Sequence, residues 1–462
     1  MIIVKGTVVT AEKAALADVR IEEGRVVEVG NGLAPRQAGE EVIDAAGLLV
    51  MPGAVDVHTH MDLLVGTARA SDSFLTGTVA AACGGTTSII DHMAFGPAGC
   101  NLQHQVDAYH VLADGKAVID YGFHGVVDRV DEGILDEMEH IAAEGITSFK
   151  FYMTYDRRLD DESILRLLAR ARELGVLLCV HCENHATLTW LRALYVAQGR
   201  TDARYHAKSR PASCEAEAIF RVLTLAKAAG EAPVYVVHTS SAAGLAAVAA
   251  FDANTPPAFA HLETCPQYLL LDESSYGLPD GEGLKFVMSP PVRRAEDREA
   301  LWAALADGRV EVVGTDHCPF YFSEKKRLGE ADFTACPNGA PGVELRLALM
   351  HSEGVVRRGM SLSRLVDVCA TTPARRFGVY PQKGTIAPGS DADIVLFDPA
   401  RRVRVTHGLL HERVDYTPYE GMELVGYPVM TISRGDVIVR EGAFVGADGR
   451  GRYLRRSLPD LR

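Results

Sequence analysis

The run AVDVHTH, residues 54–60, carries His58 and His60 two positions apart in an apolar, β-rich context. In a strand, residues two apart face the same side, so both imidazoles could meet one cation. An HxH pair alone is as well explained by two satisfied loop histidines. Three more groups change that balance. His181 lies in LLCVHCE (177–183), His238 in PVYVVHTS (233–240) and Asp316 in VEVVGTDH (310–317), each near the end of its own apolar run. Nitrogen and oxygen donors on a rigid scaffold suit zinc first, and also manganese, cobalt or iron.

Lys150 stands in the middle of TSFKFYMTY, residues 147–155. An ammonium inside an apolar strand needs a partner or a different charge state. Four imidazoles and one carboxylate exceed the needs of one metal and fall slightly short of two. A pair of metals also wants a bridging anion. A lysine that loses its proton in an apolar site can take up CO2, and the carbamate offers one oxygen to each metal. The plainer reading is a snorkelling or ion-paired lysine, and spacing alone does not choose between them.

Elements in the right order must bring these residues together. Eight apolar, β-rich runs recur: 54–60, 86–92, 118–125, 148–153, 177–183, 233–240, 258–265 and 310–317. Amphipathic stretches alternate with them, such as DDESILRLLARARELG, with Asp160 or Asp161 as N-cap and Gly175 as C-cap. This alternation predicts an α/β chain with a (β/α)8 barrel, whose site lies at the C-terminal ends of its strands. The chain ends differ from the middle and read as short strands broken by turns. They are expected to join in a small β-sandwich-like domain, 1–51 with 383–462, around a catalytic barrel at 52–382.

Composition narrows the partners. Lys+Arg number 47 against 61 Asp+Glu, a net charge of -14, which argues against nucleic acid. No apolar run is long enough for a membrane span. The opening MIIVKGTVVTAEK has no leader-like pattern, and the nine cysteines form no disulfide-like framework, so a reducing cytoplasm is expected. Cys179 and Cys182 read as core residues, because no second CxxC accompanies them, and Cys318 shows no sign of a nucleophile. His92 and His317 read as supports behind the first ligands. GGTT at 84–87 reads as a turn into a strand. The basic tail GRGRYLRRS reads as a cover for a neighbouring subunit or as a solvated end.

The stretches PGAVDVHTH, GTVAAACGGTTSIID, FKFYMTY, VHCEN, VVHTSS, ETCPQYLLLD, SPPVR, GTDHCPF and PNGAPGVE together resemble the cyclic amidohydrolases of the hydantoinase and dihydropyrimidinase branch. The likeness covers nearly the whole chain. Within the branch, ASDSF, DHMAFGP and RYHAKSRP look most like the bacterial D-phenylhydantoinases. The resemblance implies two divalent metals and an N6-carboxylated Lys150. His58, His60 and Asp316 would hold one metal, His181 and His238 the other, with Lys150 bridging. Tyr155 would bind substrate and stabilise the oxyanion, and the main chain at Ser289 and Asn338 would hold the cyclic amide. The substrate class is a cyclic amide or ureide: 5-substituted hydantoins, D-selective with aromatic substituents, or dihydrouracil and dihydrothymine for a dihydropyrimidinase. A hydroxide bridging the metals would attack, with Asp316 as general base and then acid. The assembly implied is a homotetramer, with a dimer as runner-up. After HTH the sequence departs from the branch pattern and reads MDLLVGTARASDSF, in the loop that receives the substituent. Met61 and Asp62 stand where dihydroorotases carry an arginine, and no allantoinase-like loop is present. Non-catalytic relatives of dihydropyrimidinase lack most of these ligands, whereas all six are present here.

Overall fold

The computed structural model describes residues 1–36, 39–65, 68–251 and 258–461. Eight parallel strands follow one another around the central sheet in chain order. They are Ala54–Thr59, Thr86–His92, Asp120–Val126, Ser148–Tyr152, Leu177–His181, Val234–Val236, Ala260–Thr264 and Val312–Val313. Seven of the eight predicted runs contain their strand, and the third strand extends one residue past its run, to Val126. The last strands are shorter than the runs that announced them.

Side chains sort by strand period. Leu177 and Cys179 join an inner cluster with Val55, Val57, Ile90, Tyr235, Val237 and Val312. Leu178 and Val180 join the outer layer, where helices cover the sheet. The helix Asp161–Leu174 is typical. Asp160 caps it by accepting from Ser163 N, Ile164, Leu167, Leu168 and Ala171 form its buried stripe, and Gly175 ends it in the left-handed region at φ 69.

Among the described residues, no ladder joins the first strand to the eighth. Arg346 spans the seam instead. Its Nη1 donates to Val55 O and to Val313 O, each at 3.0 Å. An isolated bridge between Thr59 and His317 and the 2.9 Å bond from His60 N to His317 O continue the closure above it.

The strands of the two chain ends form one nine-stranded sheet. Its middle joins Leu49–Pro52 to Ile394–Arg404 in antiparallel register, with Val50 opposite Leu396. A buried lysine ties this sheet to the barrel. Lys383 Nζ lies 2.6 Å from Asp120 on the third barrel strand and 2.7 Å from Asp393.

The basic tail departs from expectation. It lies against the floor of its own barrel rather than projecting as a solvated end, with Arg452, Arg455 and Ser457 left exposed. Leu454 N donates to Tyr121 O at 2.7 Å, and Thr147 Oγ1 donates to Ser457 O at 2.9 Å. Leu454 joins the inner cluster, and buried Arg456 donates from Nη2 to Phe123 O at 2.6 Å. The Tyr121 and Phe123 carbonyls, on the stretch of the third strand before its pairing with the fourth begins, take two of these donors. Gly378 allows the approach, since a Cβ there would stand 1.9 Å from Ser457 O.

Candidate active site

His58 and His60 reach the barrel mouth through an irregularity. Pairing with the second strand shifts register between Asp56 and Thr59. One extra residue resets the alternation that turns Val55 and Val57 inward, so both histidines face the mouth. His58 Nε2 and His60 Nε2 lie 3.1 and 3.2 Å from Asp316 Oδ1. One carboxylate oxygen and two imidazole nitrogens within 4.8 Å of one another form a ligand set for a divalent cation.

His181 and His238 stand beside this set, their ring centroids 4.6 Å apart, and the His238 ring is 5.4 Å from that of His58. Burial lowers the pKa of both, strongly for His238, which favours the neutral form that ligates metal. The Nδ1 atoms of His60 and His238 are buried without a hydrogen-bond partner. Lys150 is buried as well, and burial lowers its pKa. Its Nζ lies 5.5 Å from the centre of the Tyr152 ring, and among the described residues no carboxylate pairs with it.

Tyr155, Ser289 and Asn338 are half-exposed at the same mouth. The Tyr155 ring lies 5.2 Å from that of His181, and its hydroxyl lies close to the Ser289 side chain. Ser289 Oγ in turn donates to Asn338 Oδ1 at 2.9 Å. All nine residues singled out in the sequence thus lie at one end of the barrel. Three of them carry a backbone conformation that side chains disfavour: Tyr155 at φ 74, His238 at φ 41 and Asp316 at φ 53. Such conformations cost about 1–3 kcal/mol each and persist where the surroundings enforce them, most often at functional sites.

Behind these groups, sequence reasoning named His92 and His317 but missed two carboxylates and an arginine. Glu263 is wholly buried, and its Oε1 lies 2.6 Å from His58 Nδ1 and accepts from His238 N at 3.0 Å. Together with Asp316 it raises the pKa of His58 to about 9 against the effect of burial, so a cation binding at Nε2 would displace a proton from that atom. Glu183 takes His181 Nε2 at 2.7 Å and is paired with buried Arg210, whose guanidinium lies over the Tyr155 ring at 5.6 Å. The His92 ring meets the His58 ring edge-on, with centroids 4.5 Å apart. His317 donates from Nε2 to Asp72 at 3.0 Å, while Gly342 N points at its Nδ1. A signal for Glu263 was available: like Lys150, it is a charged residue inside an apolar strand.

The loop that departs from the branch pattern folds back on itself. Leu64–Val65 and Ala68–Arg69 pair antiparallel, and Leu64 and Val65 are exposed.

With this geometry in view, the relatives become informative. A model of the Amidohydrolase family matches residues 49–438. The chain belongs to the amidohydrolase family. It is 49% identical over 456 residues to D-phenylhydantoinase of Escherichia coli (strain K12), covering 99% of this chain and 98% of that one. Among solved structures, dihydropyrimidinase from Brevibacillus agri NCHU1002 superposes with a TM-score of 0.96 at 45% identity, over 99% of each chain. D-hydantoinase from Bacillus sp. AR9 superposes with a TM-score of 0.95 at 46% identity, again over 99% of each.

Proposed function

We propose that the protein hydrolyses the cyclic amide bond of 5-substituted hydantoins, with a preference for D-configured aromatic substituents, to give N-carbamoyl amino acids. The observation that carries this is the convergence of His58, His60 and Asp316 at the same mouth as Tyr155, Ser289 and Asn338. The 49% identity to a D-phenylhydantoinase points the same way.

Two divalent ions, zinc first, would be held here by His58, His60 and Asp316 and by His181 and His238, with a carboxylated Lys150 as a shared ligand. Bound there, such ions supply Lewis acidity and hydroxide near neutral pH. The remaining work falls to the chain. The Tyr155 hydroxyl donates to the oxygen that gains charge as the amide carbon becomes tetrahedral. Asp316 accepts the proton of the attacking group and returns it to the leaving ring nitrogen. Main-chain groups at Ser289 and Asn338 hold the ring amide. We assign residues 52–382 to catalysis and 1–51 with 383–462 to a supporting domain. The cytoplasm and a homotetramer complete the proposal; the nine cysteines, all free thiols, suit a reducing compartment.

The test compares the 5-phenylhydantoin enantiomers, hydantoin and dihydrouracil on metal-loaded enzyme. The D-phenyl compound is expected to react fastest. Equal or faster opening of dihydrouracil would overturn the hydantoin preference in favour of a dihydropyrimidinase. Lys150→Ala should yield folded, metal-poor, inactive protein. Two metals per chain with full activity in that variant would remove the carbamate from the reading.

A further inference from the structure

Lys325 is a fully buried lysine that the site description leaves unused. It projects from the helix Phe322–Gly329. Its Nζ donates to Gly339 O at 2.6 Å and Val287 O at 2.9 Å, with Lys285 O at 3.5 Å and the Tyr416 hydroxyl at 3.4 Å. No carboxylate pairs with it among the described residues. The groups that face it are the Tyr416 ring, whose centre lies 5.8 Å away, and the thiols of Cys318 and Cys336. Burying an ammonium without a counter-charge is costly, so a lysine kept in such a place asks for a reason.

Its acceptors supply one. Val287 lies two residues before Ser289, and Gly339 directly follows Asn338. A direct bond from Gly339 N to Val287 O, 3.1 Å, already links the two segments. Gly339 adopts φ 149, and a Cβ there would stand 2.2 Å from Cys318 O. A glycine is therefore required to aim this carbonyl at Nζ.

We propose that Lys325 is a positioning residue for the substrate: its ammonium clamps the segment leading into Ser289 to the segment carrying Asn338, and so sets the spacing of the main-chain groups that receive the cyclic amide. The inference rests on the reading of Ser289 and Asn338 as substrate contacts. Burial lowers the pKa of Lys325 to about 8, so the clamp still carries its charge at neutral pH. An anchor for the helix alone would affect stability. A clamp on the substrate segments affects binding of the ring, and small misplacements there weaken binding strongly.

The test uses metal-loaded, full-length protein and the substrate that the wild type opens fastest. Lys325→Met removes the donors while keeping a similar length. Its KM is expected to rise about tenfold or more, with kcat within about threefold and the metal content unchanged. Lys325→Gln keeps two donors, so its KM should fall between those of Met and wild type; if the Met variant does not fold, a clear rise in the Gln variant carries the test. A folded, metal-loaded Met variant with wild-type KM overturns the clamp; where the Met variant does not fold, wild-type KM in the Gln variant does so. Loss of fold in both variants overturns it too, because the side chain then serves the whole chain. Failure of the proposed function looks different: metal-loaded wild type opens no cyclic amide, and the clamp falls with it.

Discussion

Replacing Glu263 by glutamine should weaken cation binding without unfolding the protein. Glu263 Oε1 meets His58 Nδ1 at 2.6 Å and His238 N at 3.0 Å, and its Oε2 accepts from the Tyr235 hydroxyl at 2.9 Å. Glutamine keeps the shape. Its carbonyl oxygen can take the Oε1 place and its amide nitrogen can face the Tyr235 hydroxyl, which can turn to accept. The buried Tyr235 O–H then loses the acceptor it has in the wild type, a cost to the fold with or without a bound cation; the loss in cation affinity is the difference between charge-assisted and neutral hydrogen bonds, chiefly to His58. That difference is about 1.5–2 kcal/mol for the pair of contacts, or a roughly 10–30-fold weaker affinity. Carboxylates behind metal-bound histidines have effects in this range. Chelator-buffered zinc titration, read by metal content and by thermal midpoint, measures it independently of turnover. An affinity within about twofold of wild type would refute the claim that Glu263 orients and polarises His58.

Tyr155→Phe should retain its metals and lose about 10²–10³-fold in kcat, the usual cost of one oxyanion donor; steady-state kinetics with a metal assay would show an unchanged kcat if Tyr155 only lines the pocket. Glu412 is buried beside His317, and burial and the nearby Glu344 and Asp72 carboxylates raise its pKa to about 7. The folded chain keeps this proton when the unfolded chain has already lost it at an ordinary 4.5, so stability falls as pH rises from about 4.5 to about 7 and levels off above. Glu412→Gln should remove that slope and gain about 3 kcal/mol relative to wild type at pH 8 and little at pH 4; parallel thermal midpoints across this range would count against it.

The sequence revealed the barrel well because apolar β-rich runs alternate with capped amphipathic helices. Thr86–His92 coincides with its predicted run, and Asp160 and Gly175 cap as read. Val234–Val236 and Val312–Val313 fell short for a physical reason. The chain beyond them turns into the positive φ of His238 and Asp316, which no residue type at those positions announces. His58, His60, His181, His238 and Asp316 were legible because they are ligating groups near the ends of apolar runs, and Lys150 because it is a charge inside a strand, whereas Tyr155, Ser289 and Asn338 entered only through the family resemblance. Glu183, Glu263 and Arg210 were not singled out, although each is a buried charge that needs a partner. Arg456 misled because its burial depends on remote glycines: Gly378 and Gly145 admit the tail backbone, and nothing local in GRGRYLRRS records that.

The mixed sheet also has a consequence for biosynthesis. Its central pair joins Leu49–Pro52 to Ile394–Arg404, so the early strand must wait for nearly the whole polypeptide to emerge. At ordinary translation speeds that wait is roughly 20–70 seconds, with an unpaired strand edge exposed throughout. The barrel strands leave the ribosome in the order in which they pair, and this joint closes only when the message has been read almost to its end. Prematurely terminated chains would therefore keep an adhesive edge that full-length chains hide, and a chaperone or protease can tell the two apart by that edge alone.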